Sequence, residues 1–398
     1  MDIYYLENLW LIWILTSFLI IRYYIYLLAH HAKFMPKPEK EKFGTPRIIF
    51  QVTTKGNIGI VQDTINRVND ICRQINYSKY EVWAVTDAQE KFEGCRTIVV
   101  PKDYSCNAIY KGRALQYAVE IREKEGLNDK DIYVFHLDDE SLITKQTLCS
   151  ILSYLECDPK PISEGLITYP IQEKEKIKIS NLMDTLRPFY CSECLDFMST
   201  GNPAYIHGSN LLLRSDVEEE IGWANGKTFA EDTLFAVNAK NKFGSKIFGW
   251  HGGVIEEKSP LNLKDLITQR KRWFYGLIQN MKYFPPKEKA RQMMRAIVWP
   301  SGLLSGIFSI MAFIFYQKIL DQNYLMTALR FFFIITSILW LLSYQIGAYL
   351  NGKYLPIKKR ISFHLIALVS AFIIGLLECL TPVLSILDKP KTFEVIKK

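Results

Sequence analysis

An α/β sheet domain set between apolar, membrane-spanning segments is the architecture this sequence predicts, and three observations predict it. Residues 9 to 29, 297 to 316 and 331 to 350 are almost free of charge, each about as long as a helix crossing a hydrocarbon core of about 30 Å. Residues 47 to 290 have ordinary polar content instead. Within that middle part, β-rich apolar runs alternate with helical periodicity, the pattern of a sheet covered by helices.

The elements follow in order. An anchor is expected over residues 1–30, because its apolar run follows Asp2 and Glu7 and precedes a lysine cluster, which places the amino end outside. A basic linker with Pro36 and Pro38 covers 31–46. In the domain at 47–290, strands are expected at RIIFQVT from Arg47, YEVWAVT from Tyr80, IYVFHL from Ile132 and GLITY from Gly165. Val61, Ile65, Val68, Cys72 and Ile75 recur at helical spacing, and Ala114, Leu115, Ala118 and Val119 repeat the pattern after Gly112. Leu182, Met183, Leu186, Phe189, Tyr190 and Leu195 read equally as an interfacial helix or a core helix. Three apolar segments occupy 295–387, and a basic tail 388–398 carries Lys389, Lys391, Lys397 and Lys398. About four full crossings would leave that tail outside, against its charge; a broken or re-entrant last segment, which contains Glu378 and Pro382, removes the conflict.

Apolar residues are 49% of the 398 and charged residues 23%, which excludes disorder, collagen-like repeats and an all-membrane bundle. The net charge of +8 does not indicate nucleic acid, because Lys33, Lys37, Lys282, Lys287, Lys353 and Lys358 flank the apolar spans; they predict a cytoplasmic domain. The eight cysteines lack the paired spacing and histidines of a zinc site, so reduced thiols are expected; Cys191 and Cys194 form a lone CxxC without a second half-site.

The candidate chemistry clusters at strand ends and helix starts. IYVFHL runs into Asp138, Asp139 and Glu140, where open α/β sheets bind ligands. Alternation puts Asp138 and Glu140 on one side, able to hold Mg²⁺ or Mn²⁺ through oxygen; an acidic turn capping the next helix is the plainer reading. Asp87 also ends a strand, and Lys111 and Arg113 open a helix suited to a diphosphate. Glu231 and Asp232 sit in the apolar FAEDTLFA, where a carboxylate needs a partner or a task such as general base. QRKRW combines Gln269, Arg270 and Arg272 with the aromatic Trp273; a juxtamembrane basic anchor accounts for the arginines alone.

In this order, over most of residues 47 to 280, the elements resemble a family-2 glycosyltransferase of the membrane-embedded kind, such as cellulose and hyaluronan synthases. LDDE is similar to that family's DxD motif with Glu140 in place of the second aspartate, HGSN at His207 to Asn210 to its acceptor-side segment, AED to its base-bearing ED motif, and QRKRW to its QxxRW motif. HLDDES, FAEDTLFA and GLITYP are similar to the egghead-type β-1,4-mannosyltransferases, which use GDP-mannose to extend a glucosyl lipid.

The resemblance implies a GT-A fold, a Rossmann-like mixed sheet, and inverting chemistry. Asp232 with Glu231 beside it would be catalytic, and Mg²⁺ or Mn²⁺ would sit at Asp138 and Glu140. Thr53, Asp87, Lys111, Asp138, Asp139, Gln269, Arg270 and Arg272 would hold a nucleotide-sugar donor, GDP-mannose first. His207, Gly208, Ser209 and Trp273 would meet a lipid-linked glycan acceptor at the membrane lipid surface. A processive polysaccharide synthase and an inactive scaffold are the alternatives. Glu140 and the opening QVTTKG from Gln51 depart from the family pattern and bear on metal and nucleotide choice.

Overall fold

The computed structural model describes residues 46–314 and 324–390, with 14, 17–18, 20–29, 34, 392 and 396; the side chains of 305–314, 324–331 and 333 are outside it. Most of the linker expected at 31–46, most of the amino-terminal anchor and Lys391, Lys397 and Lys398 lie outside the described residues.

The first half of the domain alternates β1 (Arg47–Thr54), α1 (Ile58–Gln74), β2 (Tyr80–Thr86), β3 (Arg96–Val99), α2 (Tyr110–Lys124), β4 (Ile132–Leu137), α3 (Lys145–Leu155) and β5 (Ile162–Thr168). The second half adds α4 (Ile179–Met183), α5 (Arg187–Thr200), β6 (Leu211–Arg214), α6 (Ser215–Ile221), α7 (Glu231–Phe243) and β7 (Phe248–Glu256). Among the described residues four helices follow: α8 (Leu263–Asn280), α9 (Pro286–Ile314), α10 (Tyr324–Asn351) and α11 (Ile357–Leu387).

The strands form one seven-stranded mixed sheet in the order β3-β2-β1-β4-β6-β5-β7. β1, β2, β3 and β4 pair in parallel, β5 pairs in parallel with β7, and β6 runs antiparallel to both β4 and β5. Six strands therefore point one way and only β6 is reversed. Alternation along β1 splits the core: Ile48, Phe50 and Val52 meet Val61, Ile65 and Val68 of α1, while Ile49 joins Trp83, Ala114 and Ala118 on the α2 side. The 182–195 stretch is the core alternative of the two readings, with Phe189, Cys191, Cys194 and Leu195 buried.

Gln51 belongs to a buried polar network beneath the sheet. Arg122 of α2 donates to Gln51 Oε1 at 2.5 Å and to Glu218 Oε2 of α6 at 2.6 Å, and Trp223 Nε1 donates to Glu218 Oε1 at 2.7 Å. Arg122, Gln51 and Glu218 are fully buried, so the pair is stable only because each group finds partners.

Among the described residues two helices are long and apolar enough to cross a membrane, Ile334–Asn351 and Ile357–Leu387, and the shorter apolar helix Ile20–Ala29 covers part of the expected anchor. The turn between α10 and α11 is docked on the sheet domain. Asn351 accepts from Tyr169 N–H at 2.9 Å, and Lys353 and Tyr354 both donate to Glu256 at 2.6 Å. α11 then keeps touching the domain, from Lys359 on the Glu173 carbonyl at 2.8 Å to Ser385 on the Lys271 carbonyl at 2.9 Å. Its opposite face is apolar and exposed at Leu365, Val369 and Ile373.

Burial raises the Glu218 carboxyl, but Arg122 and then His136 outweigh it and bring it down to about 2. Its contribution to stability is therefore complete above the ordinary range near 4.5 and is lost as pH falls toward 2. Glu218→Ala strands the Arg122 charge and should destabilise the domain by about 3–5 kcal/mol. Thermal unfolding in detergent checks this: the variant should melt well below the wild type at pH 7, and the gap should narrow in acid.

Candidate active site

The reversed β6 assembles the site. Six strands bring their carboxyl ends to one edge, where Thr53 and Thr54, Asp87, Asp138 to Glu140, Tyr169 and Glu257 follow or close β1, β2, β4, β5 and β7. β6 brings its amino end to that same edge, and with it His207 to Asn210. A cavity of about 1380 Å³ opens there. Thr53, Asp87, Lys111, Asp138, Asp139, Glu140, His207, Gly208, Ser209, Glu231, Asp232, Gln269, Arg272 and Trp273 all line it.

Lys111, one residue into α2, ion-pairs with Asp138 and donates to the Gly208 carbonyl at 2.9 Å. Burial lowers its pKa, yet Asp138, Glu231 and Asp232 together hold it above its ordinary value, so the ammonium stays charged. The neighbouring Arg113 pairs with Asp87 at 2.7 Å. Asp139 turns away from Asp138 and accepts from Asn57 Nδ2 at 2.7 Å.

Glu231 and Asp232 start α7, where backbone N–H groups favour negative charge. Burial overrides this. It pushes Asp232 up to about 6, and burial together with the Asp232 charge pushes Glu231 up to about 8. Glycines allow the close approach: a Cβ on Gly208 would stand 3.0 Å from Lys111 Nζ and 3.3 Å from Asp232 Oδ2, and one on Gly112 would stand 3.2 Å from Glu231 Cβ.

QRKRW lies on α8. Arg272, Trp273 and Gln269 face the cavity, but Arg270 does not, which corrects the expectation that it grips a diphosphate. Its guanidinium is fully buried, paired with Asp184 and, at 3.3 Å, with Glu378 of α11, and it donates to Gln269 at 2.7 Å. Trp273 stacks with both Arg270 and Arg187, at 4.2 and 4.4 Å from ring centre to guanidinium carbon. Arg270 thus holds the wall rather than the ligand.

The family model described as Glycosyl transferase family group 2 matches residues 133–372. The chain belongs to this family. It is a glycosyltransferase, and its mixed sheet is of the GT-A type. Beta-1,4-mannosyltransferase egh of Drosophila melanogaster is 30% identical over 279 residues, 65% of this chain and 59% of the relative. Beta-1,4-mannosyltransferase bre-3 of Caenorhabditis elegans is 28% identical over 251 residues, 59% of this chain and 53% of that relative. The chain therefore spans little more than half the length of these relatives. The solved structure of mannosyltransferase PcManGT from Pyrobaculum calidifontis, in complex with GDP-Man and Mn²⁺, shares the fold at a TM-score of 0.50, with 15% identity, over 96% of this chain and 100% of that one.

Sequence reasoning missed several residues of this glycosyltransferase's cavity. Glu257 is the foremost: its carboxylate oxygen, with those of Asp138 and Glu140, forms a group within 4.8 Å. Its other neighbours are Ser141 Oγ and Ser209 Oγ, which donate at 3.1 and 2.5 Å. Burial, then the Asp138 charge, pushes it up to about 7. An all-oxygen donor set of this kind fits a hard divalent cation. The strand run FGWHGGVIE, which ends in Glu256 and is followed by Glu257, repeats the signature of IYVFHLDDE, with the glycine pair interrupting its β pattern. Tyr110, stacked on Phe229 at 5.1 Å, was also silent in the sequence; its φ of +52° marks a strained entry into α2 beside Lys111.

Glu257→Gln removes one charged oxygen from that group. The Mn²⁺ concentration for half-maximal glycosyl transfer should rise by about 10-fold or more. A metal titration of initial rates checks it, and an unchanged midpoint would take Glu257 out of the site.

Proposed function

We propose that this glycosyltransferase moves mannose from GDP-mannose to a lipid-linked glycan acceptor, with inversion and a β-1,4 linkage. The observation that carries the reading is the mixed lining of this cavity. It combines the carboxylates, Lys111 and Arg272 with the apolar Val298, Trp299, Trp340, Leu341, Phe372 and Ile374 of the helices that follow the sheet domain. A sugar nucleotide suits the polar lining and a hydrocarbon chain the apolar one. The relatives' printed names support mannose, and the basic residues beside the apolar segments support a catalytic domain on the cytoplasmic side.

In this reading Asp232 takes the proton from the acceptor hydroxyl. That oxygen attacks the anomeric carbon as the bond to the diphosphate breaks, and the electron pair leaves on the nucleotide. Arg272 and Lys111 line the cavity and would meet the departing charge. Asp138, Glu140 and Glu257 would hold Mg²⁺ or Mn²⁺, which supplies charge neutralisation for the leaving group. Thr53 and Asp87 would meet the nucleoside, and His207, Gly208, Ser209 and Trp273 the acceptor. Glu231, raised above neutrality, keeps its proton and leaves the base role to Asp232.

Purified protein in detergent, given glucosyl lipid, Mn²⁺ and a panel of GDP- and UDP-sugars, should release GDP from GDP-mannose and add one hexose to the lipid by mass spectrometry. Preference for a UDP-sugar would overturn the donor. Asp232→Asn should lower kcat by about 10²–10⁴-fold while donor binding persists. The base works only when deprotonated, and burial sets its pKa at about 6, so kcat/KM should climb with pH through about 6 and then level off. A flat acid limb would remove Asp232 from the role.

A further inference from the structure

In the sequence, Cys191 and Cys194 are half of a metal motif with no second half; the fold brings two further donors against Cys194, with Cys191 beside it. Three residues apart on α5, both sulfurs are buried on one helix face. β5 contributes Glu164, and the segment entering β6 contributes His207. Cys194 Sγ stands 3.3 Å from His207 Nε2, and those atoms and a Glu164 carboxylate oxygen lie within 4.8 Å of one another. Donor atoms around a tetrahedral Zn²⁺ stand roughly 3.3–3.8 Å apart for bonds of about 2.0–2.3 Å.

A second observation points into the same spot. Glu164 is fully buried, and one of its oxygens accepts from the His207 backbone N–H. Its Oε2 has no hydrogen-bond partner among the described residues. A buried carboxyl oxygen in that state calls for a cation or a proton. Burial holds His207 down at about 3, so its imidazole is neutral and free to ligate. Cys191 packs against Cys194 and the Ile167 backbone, and it borders the same small void as His207. Arg187 faces the cluster too. Two thiolates and one carboxylate would balance Arg187 plus a divalent ion.

We infer that Cys191, Cys194, His207 and Glu164 form a site for a borderline-soft divalent ion of the Zn²⁺ class, separate from the all-oxygen group at Asp138, Glu140 and Glu257. Thiolate and imidazole donors select against Mg²⁺ and Mn²⁺. Binding releases the thiol protons to solvent. The ion pins residues 207–209 to α5 and β5, and so fixes the Gly208 carbonyl that receives Lys111 and the Ser209 hydroxyl that donates to Glu257.

The test is Co²⁺ titration of the full chain in detergent after chelator treatment and thiol reduction. The expected result is a near-ultraviolet thiolate-to-cobalt band saturating at one ion per chain, erased by excess Zn²⁺ but not by Mn²⁺. Glu164→Gln should weaken Co²⁺ binding by about 10-fold or more, and Cys191→Ser/Cys194→Ser should abolish the band. Alkylation of the wild type keeps the question open to an answer if a variant does not fold: Zn²⁺ should protect both thiols. No thiolate band, a band retained in the double variant, thiols alkylated equally with and without Zn²⁺, or a Cys191–Cys194 disulfide that resists reduction would each overturn the site.

Discussion

The ammonium of Lys111 makes the rest of this site possible. Asp138, Glu231 and Asp232 come from two elements far apart in the chain and meet in a largely buried cavity, where like charges repel strongly. Lys111 offsets that repulsion by pairing with Asp138 while donating to the Gly208 carbonyl. Its position follows from the fold: α2 starts at the same edge of the sheet where β4 ends and β6 begins. Burial, with the repulsion that remains, raises the pKa values of Glu231, Asp232 and Glu257, a site set up to receive cations and protons.

A second buried cation ties the apolar helices to this site. Arg270 pairs with Asp184 beneath the cavity and with Glu378 in α11, and it stacks on Trp273, which faces the cavity. A carboxylate in an apolar helix is costly unless it is paired, so Glu378 fixes where α11 docks. Contacts at Lys353, Lys359 and Ser385 continue that docking along the helix. The polar and the apolar linings of the cavity are therefore parts of one packed unit.

Much of this was legible in the sequence because it was periodic or terminal. β1, β2, β4 and β5 are runs of β-branched and aromatic residues, and α1 and α2 carry their apolar faces at helical spacing. Strand ends that run into carboxylates, and the QRKRW run, marked residues that line one cavity. β3 and β6 are four residues each, too short for a period to show, and the glycines of β7 hide its pattern. Glu257 and Glu164 stayed silent because their significance lies in neighbours distant along the chain. Arg270 illustrates the converse: its motif suggested a ligand, and only the distant partners Asp184 and Glu378 show that its charge is already satisfied.

The most direct test of the central claim is a structure of this protein with Mn²⁺ and GDP bound. The account predicts cation density among the oxygens of Asp138, Glu140 and Glu257, the diphosphate beside Arg272, and Asp232 across the open space where a sugar would sit. A nucleotide seated outside this cavity, or a cation held by other residues while Asp138 and Asp232 face apart, would contradict it.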